Sequence, residues 1–398
     1  MKQKDNFTPL YSMLQAFYLV GYCIAVAFAA MHLQWRGCSN AEAGSVLAAG
    51  CLLGTLLGVL ASTLIDRYTA VTVKRLYPLM FLGQLLSIIA LIALPLSISA
   101  IKVVYVLYMA FCLVINPLDL KLYSDLSYAG NALDYGFSRG MGSLAYVIAS
   151  MALGPAVRRF SAALLPWAGL VMCLLQAAAH VIIFSRMPKN MVSTISVRGV
   201  PLLQFLRGNK RYCLLLLGVA LLFVPQTAVS NFRINIVRSV GGNESTMGLL
   251  TGFTAACEIP FMLFFSRIAH RWKTGTLMRF SLFMFTVKIA AMAAANSIGT
   301  MFAASVLHGF SYALFMVTVV GYVQKVTDPA DSAKAQSLMA SMSTVGSVIA
   351  SLSTGFLLDA MPVSNVLWLA TAFSALSTVI AFLGLEKSPG KIITSESR

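Results

Sequence analysis

The chain has 398 residues, of which 59% are hydrophobic and only 11% charged, with a mean hydropathy of +0.82. That composition excludes an ordinary water-soluble domain, whose usage runs to about 25% charged residues. The net charge of +16 falls mainly on short segments read as inward-facing, beside lipid headgroups, which argues against a nucleic-acid partner.

A helix crosses a hydrocarbon core of about 30 Å with roughly 20 apolar residues. Twelve stretches meet that need: 11–31, 43–64, 77–97, 103–120, 140–157, 163–184, 212–232, 247–265, 277–295, 301–320, 335–357 and 366–385. The first follows the flank Met1-Lys2-Gln3-Lys4-Asp5 without a cleavage site and is read as a retained helix, not a signal peptide. With both termini cytoplasmic, the 29 Lys and Arg residues fall mainly on inner segments. The exceptions are Arg36, Lys102, Arg158, Arg159, Arg233 and Arg238 outside, and Lys288 within a span. This is the positive-inside bias of a multi-pass protein whose basic face meets anionic lipid. Seven cysteines show no metal-ligand spacing and are expected to pack as small apolar residues.

Along the first half, Gly50, Gly54 and Gly58 form a stripe that lets a neighbouring helix approach, and Asp66-Arg67 make a basic inner turn. Pro95 and Pro117, then Pro155, Pro225 and Pro260, fall inside spans and are expected to bend or break them. Asp119 and Arg139, at the inner ends of spans four and five, are expected to neutralise each other, while Lys121 and Asp125 belong to the rim. His32 and His180 are expected to be rim and packing residues. A basic stretch, Ser185 to Arg211, divides the chain into an N-terminal bundle (1–184), a cytoplasmic linker (185–211) and a C-terminal bundle with a short tail (212–398). Gly37, Gly44, Ser62 and Arg67 recur at one constant offset as Gly241, Gly248, Ser266 and Arg271, which makes the halves parallel repeats.

The second half places Glu258, Lys288 and His308 deep within apolar sequence. Each such group costs about 2.5–3.5 kcal/mol on insertion scales, so it must be paired, hydrated or useful. Two readings stay open: a structural Glu258–Lys288 ion pair, or a wet cavity in which Glu258 exchanges a proton and His308 joins the relay. Ser343, Ser347, Ser351 and Gly355 repeat the small-residue stripe in span eleven.

The run Tyr135-Gly136-Phe137-Ser138-Arg139-Gly140-Met141-Gly142-Ser143 resembles the Tyr-Gly-x-x-Arg-x-x-Gly-Ser motif opening span five in major facilitator transporters. The group in question contains the lactose permease and the nucleoside and phenylpropionate symporters. Leu307-His308-Gly309-Phe310 and Glu258-Ile259-Pro260 resemble its span-ten and span-eight segments. The resemblance implies an all-α integral membrane protein with twelve helices in two pseudo-symmetric six-helix bundles. It implies a solute site using Arg139, Tyr146 and Glu258, to which the charge-pair reading adds Asp119, and proton coupling through Glu258, Lys288 and His308; conformational gating is expected at Asp66, Arg67 and Arg271. Two positions depart from it: Ser311 stands where the permease has its carboxylate, and Lys288 stands where the family has Arg.

The expected function is secondary active transport of a small polar organic solute, sugar-, nucleoside- or organic-acid-like, coupled to protons by alternating access. The expected form is a monomer in the inner membrane of a bacterium, with no metal or cofactor and the proton gradient as its energy source. A drug or metabolite exporter of the same fold and a non-transporting membrane sensor are the alternatives. Nucleotide-binding, zinc-hydrolase and serine-hydrolase motifs are missing from the sequence, so an enzyme is not expected, and no filter-like repeat suggests a channel.

Overall fold

The computed structural model describes residues 6–68, 71–128, 133–187, 202–261 and 272–386. Among these, eleven helices are long and apolar enough to cross a membrane. The twelfth expected span, 247–265, begins as the helix Glu244–Ala256 and runs into residues outside the described set.

Packing divides the chain into two units, Met1–Ile195 with Asn243–Gly252, and Ser196–Gly242 with Phe253–Arg398. The segment 243–252, placed in the second half by the sequence, thus packs with the first unit. In the first unit the helices are α1 (Thr8–Tyr22), α2 (Ala29–Trp35), α3 (Asn40–Arg67), α4 (Val73–Ala93), α5 (Ile98–Tyr128), α6 (Tyr135–Phe160) and α7 (Leu164–Arg186). In the second they are α8 (Leu202–Gly208), α9 (Lys210–Asn231), α10 (Arg233–Ser239), α12 (Thr274–Ala293), α13 (Ile298–His308), α14 (Leu314–Val326), α15 (Pro329–Ala360) and α16 (Val363–Gly384). The helix Glu244–Ala256, α11, belongs to both.

The repeat seen in sequence is visible in the backbone. Short helices α2 and α10 each follow a Phe (Phe28, Phe232) and lead to a left-handed glycine, Gly37 at φ 92° and Gly241 at φ 81°. Left-handed backbone strains any side chain, so glycine is the residue that turns the chain there. The following helices are capped at equivalent places. Ser39 and Glu42 form a capping box on α3, and Asn243 Oδ1 accepts from the Ser245 and Thr246 amides of α11.

The small-residue stripes resolve into helix contacts within each unit. A Cβ on Gly54 would lie 2.9 Å from the Leu113 Cβ of α5, and one on Gly58 would lie 3.1 Å from Pro117. The serine stripe of α15 hydrogen-bonds to α9, with Ser347 to Thr227 at 3.1 Å and Ser351 to Asn231 at 2.9 Å. In the second unit α9 also touches α16 backbone to backbone, because a Cβ on Gly218 would lie 2.4 Å from the Ala381 nitrogen. Phe223, Phe285 and Phe315 fill the adjoining core.

Three of the prolines within spans leave their helices unbroken: α5, α6 and α9 run through Pro117, Pro155 and Pro225. A proline removes one hydrogen bond, and in hydrocarbon the rest of the ladder has no water to compete with it. Pro95 lies between helices, in the segment after α4. The real departures from α geometry are π turns at Cys23–Ala27 and Gly309–Ala313 and a turn at Cys257–Glu258. Single π turns inside α-helices are frequent at functional sites.

Candidate functional site

The second unit carries a continuous chain of polar groups from four elements. Lys288 of α12 donates to Gln226 Oε1 of α9, next to Pro225. Its Nζ lies 3.4 Å from His308 Nδ1, and His308 Nε2 lies 3.0 Å from Glu258 Oε1. A direct Glu258–Lys288 ion pair, which the sequence allowed, gives way to an imidazole between them. An ammonium can only donate, so His308 Nδ1 accepts from Lys288 and Nε2–H donates to the Glu258 carboxylate.

Local structure holds this chain in register. His308 ends α13 and enters the π turn, where its ring stacks on Tyr312 at 5.0 Å and 11°. Gly309 lets the two carrying segments close up, since a Cβ there would lie 2.7 Å from the Cys257 carbonyl oxygen. The Lys288 ammonium sits over the Phe285 ring at 5.3 Å. Exposure rises along the chain: Lys288 is 3% exposed, while the Glu258 side chain is 22% exposed. Glu258 is therefore the more exposed end of the chain. Arg233, expected on an outer segment, is buried at the start of α10 and acts electrostatically on Lys288 and His308.

In the first unit the span-five motif splits by helix face. Ser138 and Gly142 are buried against α1: Ser12 Oγ donates to Ser138 Oγ at 3.0 Å, and a Cβ on Gly142 would lie 2.9 Å from the Gln15 carbonyl oxygen. Arg139 lies on the other side and is exposed, and Tyr146, two turns on, is half-buried on the same stripe. Arg139 is within electrostatic reach of Tyr11 and Tyr135. Tyr11, Tyr123 and Tyr135 form an aromatic cluster with centroids 4.9–6.4 Å apart.

Asp119 does not pair with Arg139. It is fully buried on α5; Tyr77 of α4 donates to its Oδ1, and His180 Nε2 of α7 lies 2.9 Å from the same oxygen. Its neutralising partner is His180, which the sequence had assigned to packing. Tyr11 also donates to the Asp119 carbonyl oxygen at 3.0 Å. His32 does pack as expected, stacked on Tyr105 at 5.6 Å. Of the gating residues, Arg67 is exposed with its guanidinium 5.7 Å from the Tyr68 ring centroid, whereas the Asp66 side chain and Arg271 lie outside the described residues.

Gln226, Arg233, Tyr77 and Tyr11 escaped the sequence reading. Gln226 carried a signal, an amide beside a proline in an apolar run. The tyrosines carried none, because aromatic residues are ordinary in membrane helices.

The family model of the MFS_1 like family matches residues 11–381. A maltose permease of Geobacillus stearothermophilus is 24% identical over 253 residues, 63% of this chain. The match spans 62% of that relative's length. Among solved structures, a mutant of the nucleoside transporter NupG superposes with a TM-score of 0.77 at 14% identity, over 95% of this chain and all of that one. An auto-inhibited POT family peptide transporter superposes with a TM-score of 0.75 at 13% identity, over 97% and 99% of the two chains. These likenesses establish a shared fold, and the family match over nearly the whole length establishes kinship: the chain belongs to the MFS_1 like family of major facilitator transporters, which are not enzymes.

Proposed function

We propose that this chain is a proton-coupled secondary transporter of a small polar organic solute, working by alternating access in the cell membrane, as a monomer with both termini cytoplasmic. The observation that carries the reading is the graded Lys288–His308–Glu258 chain. In its resting form a lysine ammonium donates to a neutral imidazole, which donates to a carboxylate. Protonating Glu258 from water turns the charged acceptor that Nε2–H faces into a neutral carboxyl, which weakens that hydrogen bond and lets the imidazole turn or exchange its own proton. Proton occupancy at the exposed end is thus transmitted to a buried amine through one ring, the linkage that coupling to a solute requires.

Arg139, Tyr146 and the tyrosine cluster supply the other half of the reading. A guanidinium fixes hydroxyls or carboxylates through paired donors, and an aromatic face stacks on a sugar or base. The similarity to a maltose permease and to a nucleoside transporter supports a hydroxyl-rich solute. Import and the coupling role of Glu258 are tested together in right-side-out vesicles under an imposed proton gradient. Glu258→Gln is expected to abolish accumulation above the external concentration while retaining equilibrium exchange. Accumulation equal to wild type would remove Glu258 from the coupling path.

A further inference from the structure

We propose that Asp119 and His180 form a second proton-binding centre, in the first unit, distinct from the Glu258 chain and independent of its role. His180 Nδ1 lies 2.8 Å from the Gln176 carbonyl oxygen, which can only accept, so Nδ1 carries a hydrogen in every state. Nε2 lies 2.9 Å from Asp119 Oδ1, which also accepts from Tyr77. A single proton must lie between Oδ1 and Nε2, since without it two lone pairs would face each other. With the proton on nitrogen the pair is an aspartate and an imidazolium; with it on oxygen it is a carboxylic acid and a neutral imidazole. Either way the pair is neutral.

The second oxygen, Oδ2, has no hydrogen-bond partner among the described residues although the side chain is fully buried. An orphaned buried carboxylate oxygen calls for water, an ion or a proton. Two further orphans flank it in sequence register. Gln84 Oε1 lies two turns along α4 from Tyr77, and Gln176 Nε2 lies one turn before His180 on α7; both side chains are buried. Helices α4 and α7 pack against each other and carry both amides, and internal water held by them would deliver a proton to Oδ2. Uptake there takes the pair from neutral to a charge of +1, and release restores it.

The surroundings are otherwise poor in charge. Tyr11 of α1 and Tyr77 of α4 face Asp119, and α3 meets α5 at this level through Gly58 against Pro117. On α5 itself Lys121 faces Asp125 at 3.7 Å, and Arg139 of α6 bears on the site through Tyr11. No other ionisable side chain is in hydrogen-bond contact with Asp119 among the described residues.

Infrared titration of the purified full-length protein in lipid nanodiscs tests this. A carboxylic C=O band that grows on acidification is expected to be missing from Asp119→Asn and kept in Glu258→Gln. Independently, 15N-histidine NMR of the unmutated chain, with the His180 signals identified by their loss in His180→Gln, is expected to show Nδ1 protonated throughout. Nε2 is expected to shift over the same pH range as the band. If Asp119→Asn fails to fold, the NMR titration alone decides. A band that survives Asp119→Asn, a His180 signal flat with pH, or a response that follows sodium at fixed pH would each overturn the proposal. Loss of accumulation in Glu258→Gln with this band intact would leave both proposals standing apart.

Discussion

Lys288 has a donor-acceptor problem that Gln226 solves. A buried ammonium presents three donors, and the structure gives it an amide oxygen, an imidazole nitrogen and an aromatic face. Replacing Gln226 by Leu leaves one donor facing hydrocarbon, at a cost of about 1–3 kcal/mol for an unsatisfied buried group. Thermal unfolding in detergent is expected to show a lowered midpoint for Gln226→Leu and partial recovery in the Gln226→Leu/Lys288→Met double variant, where no donor remains to satisfy. An unchanged midpoint in the single variant would mean that Lys288 finds another acceptor. The ions themselves were legible in the sequence, because a Glu, Lys or His in apolar surroundings stands out by its cost. Their partners were not. Nothing local distinguishes Tyr77 from another ring, or says that His180 rather than Arg139 meets Asp119, because that choice is made by which helices pack together.

Glycines divide sharply by what stands opposite them on the neighbouring element. Gly218 faces the backbone of α16 at a distance no Cβ can occupy, whereas Gly321 of α14 has nothing within 4 Å of its missing Cβ. Alanine is favoured over glycine in a helix by about 1 kcal/mol, and overpacking costs typically about 1–3 kcal/mol. The two terms oppose each other at Gly218, where the clash with rigid backbone wins; at Gly321 only the propensity acts. Gly218→Ala is therefore expected to lower the unfolding midpoint, and Gly321→Ala to hold or raise it. Equal effects at both sites would show that α9 and α16 stand further apart. Apolar length was enough to place most spans from sequence. The helix ends were set by other signals, such as the Ser39–Glu42 box and the left-handed glycines, and α5 and α15 run well past the apolar cores that announce them. Proline was a mixed guide: helices run unbroken through Pro117, Pro155 and Pro225, the turn at Cys257–Glu258 stands beside Pro260, and the π turn after His308 has no proline in it.

At the scale of the molecule, the parallel repeat and the charge bias make one joint claim about which loops face which side. On the proposed topology, with six spans in each half, the turns at Gly37 and Gly241 would face one side and the basic linker 185–211 the other. Two exposed positions report the sides directly: Ser239, at the end of α10 before Gly241, and Lys273, at the start of α12. In chains whose native cysteines have been replaced, Ser239→Cys is expected to react with a membrane-impermeant maleimide added to intact cells. Lys273→Cys is expected to react only after the cells are opened. An odd number of crossings between the two positions is what separates them, so the result also tests whether the segment 247–265 completes a span beyond α11. Labelling of both from outside would mean that it turns back without crossing, and labelling of Lys273→Cys alone would invert the whole chain.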